Sequence, residues 1–116
     1  MMGSTGIGGR QALLGLAALL FLTNIYLIFL YAPTASEALG IQVQRIFYFH
    51  VPSALLGMIS FAVAAVMSVV YLTRRNRKWD RIAWASAEVG TVFFTVAIAT
   101  GAVWAKPVWQ KWWVWD

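Results

Sequence analysis

The chain has 116 residues, of which 61% are hydrophobic and only 11% charged, whereas a soluble domain carries about a quarter charged residues. So little polar surface cannot coat a globule, so lipid must be the solvent for much of the chain. Cysteine is absent, which excludes disulfides, thiolate metal sites and thiol redox chemistry. The net charge of +5 does not describe a nucleic-acid surface, because five of the nine basic residues crowd into Arg74–Arg81 between two apolar runs, without the spacing that phosphate or base readout requires.

Met1–Gly9 is rich in Gly and Ser and is expected to be disordered. Ala12–Tyr31 is an apolar run of 20 residues, interrupted mildly by Thr23 and Asn24. A rise of about 1.5 Å per residue matches it to a hydrocarbon core of about 30 Å. Arg10 before this run raises the alternative of a secretory signal. The run exceeds the roughly 7–15 residues of a signal core and no small-x-small cleavage site follows, so an anchor helix is expected. Pro33 stops it. Thr34-x-x-Glu37 has capping-box spacing and Gly40 suits a C-terminal cap, which predicts a short helical turn on the membrane surface.

The second predicted span is 51–72. Ser53 and Gly57, and separately Ser60, Ala64 and Ser68, recur every four residues, and such small-residue seams let helix backbones approach closely in lipid. The third span is 82–103, with Ala97 and Gly101 as a similar seam. The fold class is therefore an all-α membrane protein with three transmembrane helices in a single domain, 1–116, followed by a Trp-rich segment, 104–116. Arg74, Arg75, Arg77, Lys78 and Arg81, together with Arg10, place the second link and the N-terminus in the cytoplasm. Arg45, Lys106 and Lys111 on the other side are fewer. Arg45, His50 and the C-terminal segment then share the external side.

His50 is the only histidine. It lies in Arg45-Ile-Phe-Tyr-Phe-His-Val-Pro52, and Pro52 is expected to push Val51 towards extended geometry, setting His50 at a helix start or kink. Ser53, Ala54 and Gly57 share its helical face and are expected to leave room beside the imidazole for a flat ligand. The plain alternative is an interfacial histidine bonded to water or a loop carbonyl. Five of the seven tryptophans fall within residues 104–116. An aromatic belt at the interface accounts for Trp104 and Trp109, but Trp112, Trp113 and Trp115, followed by Asp116, exceed what anchoring needs. Their large, rigid ring faces suit a planar hydrophobic ligand, and Lys106, Lys111 and Arg45 are placed to meet carboxylates at its edge. Arg45 also reads as an ordinary interfacial anchor. Glu88, with Thr91 and Thr95 on the same face, forms a polar stripe inside the third span. With no second intramembrane ionisable residue to relay protons, a structural role is the favoured reading.

His50-Val51-Pro52 at the start of one helix, followed by Trp104 and Lys111-Trp-Trp-Val-Trp-Asp116 after the next, resembles the haem exporter protein C (CcmC) family of cytochrome c maturation. The tail is similar to the tryptophan-rich WWD signature of haem-handling membrane proteins. The resemblance implies that His50 is one axial ligand of a non-covalent, b-type haem on the outer face of a bacterial cytoplasmic membrane. It implies that Trp112, Trp113, Trp115 and Asp116 form part of the haem platform, and Trp109 and Arg45, the latter at a propionate, are counted with them as cofactor-binding candidates. The implied partners are a periplasmic haem chaperone, the subunits of an ABC transporter and the lipid bilayer, with no nucleic acid and no catalysis by the chain itself. The family has about six spanning helices and a second external histidine, so the chain is expected to be an N-terminal fragment whose second axial ligand lies elsewhere. Met58 is about 12 Å along the helix from His50, too far to share an iron. A membrane anchor subunit and a haem lyase-type member of the same superfamily are the competing readings.

Overall fold

The computed structural model describes residues 6–33 and 43–115. All regular structure among them is helical, and three helices are long and apolar enough to cross a membrane. The chain divides into two compact units, Met1–Thr34 and Ala35–Asp116. The predicted surface turn at Thr34–Gly40 lies outside the described residues.

In the first unit, α1 (Ile7–Tyr26) begins within the stretch expected to be disordered, so Ile7, Gly8 and Gly9 are helical. Its two polar interior residues are satisfied by their own helix. Thr23 Oγ1 donates to Leu19 O and Asn24 Nδ2 to Leu20 O, each at 2.8 Å, which removes the cost of an unpaired donor in hydrocarbon. A wider π turn, Leu27–Tyr31, continues the helix and ends with the Ala32 N–H on Leu27 O at 2.7 Å. Ala32 then turns extended, at φ −63° and ψ 130°, because the ring of Pro33 crowds an α conformation in the residue before it.

The second unit is a helical hairpin. A 3-10 turn, Val43–Ile46, leads into α2 (Phe47–Arg74), and α3 (Arg77–Trp109) returns alongside it. Both helices outrun their expected spans of 51–72 and 82–103. The link is only Arg75–Asn76. Arg75 takes a left-handed conformation (φ 51°) with its N–H on Tyr71 O at 2.8 Å, and Asn76 Oδ1 caps α3 by accepting the Lys78 N–H at 2.9 Å. The basic cluster therefore sits largely on helix ends. Pro52 does not mark the start of α2, as its sequence context suggested. It is the sixth helical residue and Val51 before it is helical, at the cost of the bond that the Tyr48 carbonyl would otherwise receive.

Small residues bring the two helices together. Ser53, Gly57 and Ala64 are buried on α2, and Ala83, Gly90 and Ala97 on α3. The seven-residue spacing on α3 is that of a coiled-coil seam. Of the expected seam residues on α2, Ser68 falls outside the contact and folds its hydroxyl back to Ala64 O at 2.7 Å. Two reciprocal contacts set the register. The Phe94 ring lies over Gly57, where a Cβ would stand 3.1 Å from it, and the Phe61 ring lies over Gly90, where a Cβ would stand 2.9 Å away. The two phenyl rings then stack on each other at 5.5 Å. Phe47 against Trp104 and His50 against Gly101 continue the same antiparallel register, the residue numbers adding to 151 at every pair.

Overpacking a tight helix contact typically costs about 1–3 kcal/mol. Gly90→Val should lower the stability of the hairpin by that amount, measured as resistance to proteolysis in detergent. Phe61→Ala in the same chain should restore much of the loss, because the added methyls collide with that ring.

Candidate functional site

The end of the hairpin remote from the link carries the only histidine and most of the tryptophans. His50 is in the first turns of α2 and half-buried. Its ring crosses to α3, where Nδ1 donates to the Ala97 carbonyl at 2.8 Å and lies 3.3 Å from Thr100 Oγ1. The Thr100 hydroxyl donates to Val96 O at 2.7 Å and lies 3.1 Å from Ala97 O. A carbonyl can only accept, so the 2.8 Å contact requires the proton on Nδ1. A neutral ring held this way leaves Nε2 with its lone pair, which is the arrangement a metal-ligating imidazole uses.

The room beside the imidazole is only partly where the helical wheel put it, because of the three small residues only Ala54 lines the cavity with His50. Ser53 and Gly57 are buried in the helix contact, Gly57 beneath Phe94. On α3, Gly101 makes room for the ring itself, since a Cβ there would lie 3.0 Å from His50 Cε1 and 3.3 Å from Nδ1.

A cavity of about 540 Å³ opens here, lined by His50 and Ala54 of α2, by Phe94, Ala97, Ile98, Gly101 and Trp104 of α3, and by the segment beyond it. That volume lies within the usual range of about 300–1,000 Å³ for small-molecule sites. Among the described residues the walls are overwhelmingly apolar and Lys111 is the only charged one. α3 continues to Trp109, so Trp104 and Trp109 are helical rather than part of an extended tail, and they meet edge to face at 5.0 Å. Pro107 lies inside this last turn, and Gln110 ends it in a left-handed conformation (φ 60°). Lys106 Nζ reaches Gln110 O at 3.3 Å and stands 5.9 Å over the Trp112 ring. That contact folds the tail back over the helix end.

The expected site residues separate accordingly. His50, Trp109, Trp112 and Trp113 converge on the cavity. Trp115 does not line it. It is 92% exposed and packs edge-on to Trp113 at 5.6 Å. Arg45 is half-buried in the 3-10 turn and also lies outside the cavity wall, whereas Lys111 occupies the place expected for a cation. Asp116 lies outside the described residues. Met58 is 51% exposed. Thr91 and Thr95 donate their hydroxyls to Ala87 O and Thr91 O at 2.8 Å, so neither hydrogen-bonds to Glu88. Sequence reasoning gave Ala97 and Gly101 only a packing role and missed Thr100 as a neighbour of His50. The antiparallel register was the signal that could have found them. The buried indole Nε1 of Trp104, a further lining residue, has no hydrogen-bond partner among the described residues.

Among the described residues no three His, Cys, Asp or Glu side chains stand together, so the donor set is one imidazole in an apolar, aromatic cavity. This suits a metal that brings most of its ligands with it, as haem iron does. The molecule is thus a multi-pass membrane protein with a one-histidine, tryptophan-walled cavity at one end of a helical hairpin. Residues 8–116 match the family described as "CcmC: Heme exporter protein C", and the chain belongs to that family. It is 38% identical to Heme exporter protein C of Rhodobacter capsulatus over 88 residues, which cover 76% of this chain and 36% of that protein. Against Heme exporter protein C of Escherichia coli K12 the identity is 40% over 72 residues, or 62% of this chain and 29% of that protein. A putative cytochrome c biosynthesis ccmC-like mitochondrial protein of Marchantia polymorpha is 32% identical over 106 residues, 91% of this chain and 46% of that protein. The matched region is less than half the length of each of these relatives.

Because the chain has a single histidine, ¹⁵N-histidine labelling reports on His50 alone. At a pH where the ring is neutral, the spectrum should show a protonated Nδ1 and a bare Nε2. The opposite tautomer would contradict the bond to Ala97.

Proposed function

We propose that this chain binds haem non-covalently at the outer face of the membrane and presents it to a periplasmic haem chaperone during cytochrome c maturation. The observation that carries the reading is His50. Its Nδ1 is engaged by the Ala97 carbonyl, and it lines a cavity walled by Trp109, Trp112 and Trp113. Nε2 would ligate the haem iron, as a neutral imidazole suits it. The indole faces of Trp109, Trp112 and Trp113 hold the planar ring, with Trp115 supporting Trp113 and Asp116 extending the platform. Lys111 meets a propionate at the cavity wall. Arg45, on the turn that leads into α2, serves a second carboxylate further out.

The topology supports the same reading. Arg10 in the first turn of α1 and five basic residues in and around the Arg75–Asn76 link favour a cytoplasmic N-terminus and link, which leaves the cavity end outside. The chain works in the bacterial cytoplasmic membrane beside the subunits of an ABC transporter. It holds haem without transforming it.

The whole protein, purified from membranes, should show a Soret band that weakens strongly in His50→Ala. A spectrum indifferent to that change would remove His50 as a ligand. Crosslinking through the tail should capture a small periplasmic haem chaperone, and capture of an apocytochrome instead would favour haem ligation.

A further inference from the structure

Three glycines of the hairpin lie under rings from the opposing helix. Gly57 and Gly90 take phenyl rings, which fill space. Gly101 takes the imidazole of His50, with ring atoms 3.0 and 3.3 Å from where a Cβ would be. Gly101 is four residues beyond Ala97, so its missing side chain is what leaves the Ala97 carbonyl open to a group arriving from α2. That carbonyl is already part of the α3 ladder, but a carbonyl oxygen has two lone pairs and can accept again. Any side chain at 101 would push the imidazole away from its 2.8 Å acceptor. The ring would then be free to turn, and its proton free to move to the nitrogen needed for coordination.

We propose that Gly101 is a positioning residue for haem binding. By uncovering the Ala97 carbonyl it holds His50 in one orientation and one tautomer, with Nε2 as the ligand. The proposal rests on the reading of His50 as an axial ligand. The bond to Ala97 is the outer-shell partner of that ligand, and loss of such partners typically lowers metal affinity about 10–100-fold.

The test uses the full-length protein in lipid nanodiscs, titrated with hemin, in Gly101→Ala, Ala83→Val, His50→Ala and the His50→Ala/Gly101→Ala double variant. Gly101→Ala should weaken hemin binding about 10–100-fold and turn the single ¹⁵N tautomer of His50, whose signals are identified by their loss in His50→Ala, into a mixture. Ala83→Val crowds the buried helix contact at the link end, away from the cavity, and should leave both readouts close to the unsubstituted protein. In the His50→Ala background Gly101→Ala should add nothing, because a residue acting through a partner has no effect once the partner is gone. Equal effects of Gly101→Ala and Ala83→Val, or a further loss in the double variant, would show a general packing role and overturn the proposal. Should Gly101→Ala fail to accumulate, a bare Nδ1 in the unsubstituted protein would overturn it equally. His50→Ala without effect on hemin would instead overturn the ligand reading, while the hemin-free ¹⁵N comparison still decides whether Gly101 positions the ring.

Discussion

The close approach of α2 and α3 governs everything at the site. Lipid offers no hydrophobic force to drive two apolar helices together, so the contact must come from backbone proximity and packed side chains. Here it is made by glycines that receive rings, Phe94 on Gly57 and Phe61 on Gly90. Each glycine admits one ring at one level of the helix. Two reciprocal pairs four residues apart leave no freedom to slide, and the register they set carries His50 opposite Gly101 and Phe47 opposite Trp104. His50 and the Ala97 carbonyl thus meet because a contact further down the hairpin has already been made.

A second constraint acts at the cavity end. A helix that continues through Trp109 with a proline in its last turn would ordinarily carry the chain onward. Instead Gln110 takes a left-handed conformation, and Lys106 bridges to the Gln110 carbonyl while standing over Trp112. The tail therefore folds back on the helix end, and Trp112 and Trp113 become walls of the space that His50 enters. The same positive charge that complements the end of α3 thus also helps to close the cavity. Lys111 is left as the charged member of an otherwise apolar wall.

Family membership and geometry bear on different questions. The match over residues 8–116 assigns the chain to the heme exporter protein C family, and the matched region makes up less than half of the relatives compared. The geometry concerns what these residues can do. One imidazole, oriented by a helix carbonyl and set among indole rings, is suited to a planar ligand that brings its own metal. It is poorly suited to a bare ion, which would need a cluster of ligands.

Composition and hydropathy alone determined that the chain is helical and membrane-borne, because a backbone in lipid must satisfy its hydrogen bonds within each helix. His50, the tryptophans and the small-residue seams were legible as well, since residue type limits what each can bind or pack against. Helix ends were less legible. Pro52 and Val103 looked like boundaries, yet α2 starts before the proline and α3 runs on to Trp109, because packing across the hairpin outweighs local preference. Which tryptophans line the cavity, Lys111 rather than Arg45 as its cation, and Gly101 as the gap beside His50 were decided only by the tertiary structure. Each depends on the register between two helices, a relation between distant residues that no local pattern encodes.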